Sequence, residues 1–254
     1  MKRFIALLQF MTRIPINIDV GFDEEFHKSI TYFPLVGFVL GVLLFLIGTI
    51  CGYIFDPFVT AIIITFSSVV LTGGLHIDGL GDTFDALYSY RDKEKMLEIM
   101  KDSRLGTNSL LAVMFVILLK VGFIYSIINN GYMWLVMFMP VIGRLGVIRL
   151  TYKTVSPRAK GMGNMFIGKL TTGMFLTAIV YTIVLITLIA KFMFLTPFEI
   201  IIKVLLSIVL VFLFNQLFKG HVYKKIDGVT GDILGCSIEL GEVIYLLYIY
   251  LIIG

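Results

Sequence analysis

Seven stretches of this 254-residue chain are long and apolar enough to cross a bilayer. Such a crossing needs about 17–25 mostly apolar residues. They run over 33–53, 57–73, 108–128, 132–150, 172–192, 197–218 and 238–254. Nothing else in the sequence limits the fold so strongly. Every backbone amide inside the hydrocarbon must be paired within its own segment, so the expected fold is an all-α, polytopic integral membrane helix bundle. Composition agrees: 58% of residues are hydrophobic and 15% charged, where a soluble domain carries about 25% charged residues. A disordered chain and a wet soluble globule are both excluded. An outer-membrane barrel would alternate polar and apolar residues, and these stretches do not.

The basic residues fix the orientation. Lys2, Arg3, Arg13 and Lys28 precede the first stretch, and Arg91, Lys93, Lys95, Lys101 and Arg104 follow the second. Arg144, Arg149, Lys153, Arg158, Lys160 and Lys169 follow or end the fourth, and Lys219, Lys224 and Lys225 follow the sixth. These are 18 of the 21 lysines and arginines, and they fall on one side at every crossing. Cytoplasmic loops collect Lys and Arg, so that side is expected to face the cytoplasm, with the N-terminus there too. Only Asp56 and Glu199 among 17 acidic residues lie on the other side. Polar chemistry therefore belongs to the cytoplasmic loops.

The whole of 1–254 is expected to form one membrane-embedded catalytic domain. Residues 1–32 form its N-terminal segment, and 74–107 carry its acidic motif. Met1–Ile16 holds Arg13 within its apolar run and has no small-residue cleavage site, so it is not expected to be a removable signal. Phe4, Ile5, Leu7, Leu8 and Met11 share a helical face, which predicts an amphipathic helix in the membrane interface. Cys51 and Cys236 fall on opposite faces, so no disulfide is expected.

The segment Leu71–Leu87, LTGGLHIDGLGDTFDAL, is the most informative. Its carboxylates Asp78, Asp82 and Asp85 are spaced four and three apart, which puts them on one face of a helix. Like charges so placed repel. A cation between them removes the conflict, and hard oxygen ligands without thiols select Mg²⁺. His76 precedes them. Arg104, beside Gly106 at the start of the third stretch, suits an anion. So do Arg144 in the fourth stretch and the SPRAKGMGN loop with Arg158 and Lys160. Near the C-terminus, Thr230 or Asp232 is placed to cap the last helix. Asp232, Glu239 and Glu242 are costly at the mouth of a span unless paired. Metal ligands, basic groups and glycine turns on one face are the equipment of phosphoryl transfer on a diphosphate. There is no GxxxxGK[ST] loop, no Ser-His-Asp elbow and no thiolate metal site.

The string LTGGLHIDGLGDTFDAL with KDSRLGTNS closely resembles the signature of the adenosylcobinamide-GDP ribazoletransferase (cobalamin synthase) family. LLQFMTRIPI, Gly143-Arg144 and GVTGDILGCSIELGE extend the resemblance along the chain. It implies a Mg²⁺-dependent enzyme of the cell (cytoplasmic) membrane. Such an enzyme joins adenosylcobinamide-GDP to α-ribazole or α-ribazole 5′-phosphate and releases GMP. On that reading Asp78, Asp82 and Asp85 hold the metal, and one of Asp82, Asp85 or His76 takes the hydroxyl proton. Arg104, Arg144, Arg158, Lys160 and Asp232 meet the substrates. The partners are then the two substrates and the lipid bilayer. Nucleic acid is not among them, and room remains for association with other cobalamin-pathway enzymes. A lipid phosphotransferase of the CDP-alcohol type would share the carboxylate spacing but requires an Ala-Arg pair that is missing here. A transporter would need ionisable groups near mid-membrane, and only Lys120 and Lys203 approach it.

Overall fold

A computed structural model describes residues 1–21, 23–102 and 104–253. The last residue of the predicted seventh stretch, Gly254, lies outside them, as do Phe22 and Ser103 of the N-terminal and acidic-motif segments. The described residues contain helices and no strands.

The helices are α1 (Lys2–Met11), α2 (Phe33–Gly52), α3 (Pro57–Thr72), α4 (Leu75–Leu87), α5 (Lys93–Ile99), α6 (Thr107–Asn129), α7 (Met139–Thr151), α8 (Thr172–Leu188), α9 (Phe198–Ile226) and α10 (Gly231–Ile253). Six helical stretches meet the length and apolarity of a membrane span. A seventh arises if α3 and α4, bent by 90° at their junction, count together. The chain is thus a multi-pass membrane protein. Three of its spans show their relative directions. Gly37 and Gly41 of α2 lie against Pro140 and Met137, so α2 runs opposite to α7. Gly143 lies against Ile238 and Glu242 while the Tyr245 hydroxyl donates to the Leu135 carbonyl at 2.7 Å, so α7 runs opposite to α10. Glycines at these crossings let backbones approach where a side chain would collide. The most buried span is Met133–Thr151, at the centre of the bundle.

The N-terminal helix packs against the bundle. The apolar face of α1 is buried inside the protein, with Ala6, Leu7, Leu8 and Met11 all covered. Five contacts hold the segment in place. The Arg13 amide donates to the Leu71 carbonyl at 2.7 Å, Gln9 Nε2 donates to the Ile16 and Ile18 carbonyls, and Arg3 pairs with Asp23 and Glu25. Cys51 closes α2 and Cys236 sits in α10, and both thiols are free.

Candidate active site

Gly73 and Gly74 adopt left-handed backbone, at φ 61° and 74°. Glycine reaches that region without steric cost. The pair ends α3 and turns the chain by 90° into α4. That helix therefore runs across the end of the bundle instead of continuing through it. Its glycines seat it there: a Cβ on Gly79 would come within 2.7 Å of the Asp232 carbonyl, and one on Gly81 within 2.2 Å of Ser109 Oγ. The acidic helix thus lies across the starts of α10 and α6.

The three carboxylates do not share one task. Asp85 Oδ2 accepts from the Gly106 amide at 2.7 Å, and Oδ1 accepts from the Ser109 amide at 3.0 Å. These are amides of the first turn of α6, whose own N-cap, Gly106, has no side chain to offer. Asp85 caps that helix from a distance, satisfying donors that have no partner within the helix. It also explains Gly106, where a Cβ would sit 2.3 Å from Asp85 Oδ1. The same contacts occupy amides that an anion at the start of α6 would need. Asp85→Ala should therefore lower stability by about 1 kcal/mol, read as a shift in the unfolding transition of detergent-solubilised protein. Asp85→Asn, which keeps an acceptor oxygen, should recover part of it.

Asp78 is exposed and Asp82 half-buried. Burial, then the nearby charges of Asp78, Asp232 and Asp85, push the Asp82 carboxyl up to about 7, against the opposing charge of Arg158. Asp78 and Asp82 line a cavity of about 750 Å³ together with Arg13, Lys101, Asp102 and Arg104. Arg104 is exposed and forks onto Asp102, holding that carboxyl down to about 2. Among the described residues, no three of His, Cys, Asp and Glu are gathered in a geometry that could hold a metal. Of the expected trio, Asp78 and Asp82 line this cavity, while Asp85 bonds to the first turn of α6. Two carboxylates facing an open polar cavity, with oxygen donors only, suit Mg²⁺, which keeps waters and takes phosphate oxygens as its other ligands.

A second cavity, of about 400 Å³, lies on another side of α4 and shares Asp78 with the first. His76, Arg158, Lys160 and Asp232 line it. Arg158 Nη1 pairs with Asp232 at 2.8 Å, which ties the SPRAKGMGN loop to the start of α10. Thr230 Oγ1 accepts from the Ile233 amide at 3.4 Å, a long contact at the first turn of α10.

Arg144 is elsewhere. Its side chain is 1% exposed, and its Nη1 donates to Glu242 at 3.1 Å and to the Pro140 carbonyl. Lys120 Nζ lies 2.6 Å from both Glu239 and Glu242. Two cations and two carboxylates from α6, α7 and α10 thus form a closed network beneath α4. Sequence reasoning missed it. The signal was there in Glu239 and Glu242, three apart on one span, with Lys120 and Arg144 the cations inside two others. His76 reaches toward this layer. It is 4% exposed, its Nε2 has no hydrogen-bond partner among the described residues, and it lines a cavity of about 10 Å³ with Arg144, Glu239 and Glu242.

Comparison with known proteins supplies what geometry alone does not. The family described as cobalamin-5-phosphate synthase matches residues 3–250. A relative from Clostridioides difficile (strain 630) is 70% identical over 253 residues, covering 100% of this chain and 98% of its own. One from Alkaliphilus metalliredigens (strain QYMF) is 46% identical over 254 residues, covering 100% and 97%. One from Thermoanaerobacter pseudethanolicus (strain ATCC 33223 / 39E) is 38% identical over 244 residues, covering 95% and 94%. All three are named adenosylcobinamide-GDP ribazoletransferase. No solved structure matches. These matches decide for the transferase resemblance over the lipid phosphotransferase and transporter readings.

Proposed function

This chain belongs to the cobalamin-5-phosphate synthase family of adenosylcobinamide-GDP ribazoletransferases, and on that premise we propose a Mg²⁺-dependent transfer at the cytoplasmic face of the cell membrane. The substrates are adenosylcobinamide-GDP and α-ribazole or its 5′-phosphate. A ribose 3′-hydroxyl oxygen attacks the phosphorus that carries the corrinoid. The new P–O bond forms as the bond to the second phosphate breaks, GMP leaves, and the hydroxyl proton is lost. The observation that carries this reading is the half-buried Asp82 beside Asp78, Asp232 and Asp85, at the wall of a cavity with basic groups at its rim. Like charges crowded in this way favour a cation among them.

Asp78 and Asp82 would hold Mg²⁺, which neutralises charge on a diphosphate and on the nucleotide that departs. Arg104 and Lys101, at the same cavity, attract the phosphates and orient them. Of the three groups expected to take a proton, Asp82 faces this cavity, Asp85 is committed to α6, and His76 lies under α4. The 18 basic residues on one face support the cytoplasmic side. The test is GMP release from adenosylcobinamide-GDP by purified, detergent-solubilised protein, with and without Mg²⁺, offered each acceptor in turn. Release that requires both Mg²⁺ and an acceptor is expected; release without metal, or none at all, would refute it.

A further inference from the structure

We infer that the cavity of about 400 Å³ is the seat of the nucleoside acceptor, its apolar wall taking the aromatic base and Lys160 standing at the end that receives the 5′ group. This rests on the transferase reading above and adds to it where the second substrate binds. The wall is aromatic. Phe10, Phe33 and Phe166 all line the cavity, with Phe33 and Phe166 edge to face at 5.1 Å and Phe10 tilted against Phe166 at 6.1 Å. A flat base gains from such rings both by burial and by edge contacts. Polar groups line the same cavity, among them Lys160 and Asn164 from the loop. An amphiphilic ligand with a ring at one end and a sugar or phosphate at the other matches that lining, whereas an acyl chain would leave the polar groups unmatched.

Size separates the two substrates. Small-molecule sites run from about 300 to 1,000 Å³. This cavity accepts a nucleoside and cannot enclose a corrinoid, which is several times bulkier. The corrinoid-linked diphosphate is left with the larger, more open cavity. Leu75, Asp78 and Lys101 line both cavities, so a ribose in one is placed beside a diphosphate in the other at the acidic helix. His76 also lines the acceptor cavity with an unpartnered Nε2 among the described residues, a polar group available to a sugar hydroxyl.

Gly161 provides a test that spares the fold. It lines the cavity, and a Cβ there meets nothing closer than Asn164 Oδ1 at 3.9 Å. Gly161→Phe should therefore place a bulky ring at the cavity wall with no clash at its Cβ. It should raise KM for α-ribazole about tenfold or more, with KM for adenosylcobinamide-GDP little changed and the unfolding temperature kept. Lys160→Ala should raise KM for α-ribazole 5′-phosphate more than for α-ribazole. Equilibrium binding of α-ribazole, which needs no turnover, should be lost in Gly161→Phe and present in the parent. If the parent binds α-ribazole but releases no GMP, the transferase reading fails while the cavity assignment stands. If Gly161→Phe raises KM for adenosylcobinamide-GDP instead, or leaves α-ribazole binding and both KM values unaltered, the assignment is overturned. The unaltered case would leave the cavity to a lipid chain.

Discussion

Asp82→Asn is expected to lower Mg²⁺-dependent GMP release by at least about 100-fold, the scale seen when a group that stabilises transition-state charge is removed. The amide keeps the shape of the carboxylate and loses its charge, so packing of α4 is left intact. Stability should move in the opposite direction to activity. The folded protein holds the Asp82 carboxyl at about 7, well above the ordinary value. An acid with a raised folded pKa opposes folding as it ionises, with no cost below its unfolded pKa and the full cost above its folded one. Without added metal, the asparagine variant should therefore unfold at a higher temperature than the parent at pH 8, and the difference should vanish near pH 3. Activity within a few-fold of the parent at saturating Mg²⁺ would remove Asp82 from the metal site. Unfolding at a lower temperature at pH 8 would show that the carboxylates are not crowded as described.

Lys120→Met carries the largest expected cost in stability. Its ammonium group lies between Glu239 and Glu242 and is 2% exposed. Removing it leaves two buried carboxylates with Arg144 as their one partner among the described residues. Breaking a buried ion pair from one side costs about 3–5 kcal/mol, because the remaining charge has neither water nor partner. Lys120→Met with Glu239→Gln removes one charge of each sign and leaves the Arg144–Glu242 pair intact. The double variant should be markedly more stable than Lys120→Met alone, and a thermodynamic cycle over the four proteins measures the coupling. Equal stability of the single and double variants would mean that the network is not electrostatically closed.

The spans were legible because burial in lipid imposes a length and a composition on every segment, and α2, α6, α8 and α9 follow it directly. The bend at Gly73-Gly74 was not legible as a bend. Glycine runs serve close packing as well as turning, and the four-three carboxylate spacing holds whichever way the helix points. Asp85 has contacts that spacing alone does not reveal. Spacing along α4 places it with Asp78 and Asp82, but its oxygens are claimed by amides at Gly106 and Ser109, some twenty residues on. Arg144 shows the limit from the other side. The sequence marks it as a cation inside a span that must be paired, and its partner, Glu242, is set by the antiparallel passage of α7 and α10.

The seat of α4 has a bearing on how the protein is made. Gly79 rests on Asp232, Gly235 of α10 lies against the backbone of His76, and the loop bearing Arg158 is tied to Asp232. Each of these contacts needs α10, which follows the other helices in chain order. A nascent chain that has inserted every earlier helix still carries an acidic segment with no support on one side, and carboxylates with no wall opposite them. The wall around the acidic helix is therefore assembled only once α10 is in place, whatever the order in which the other helices pack.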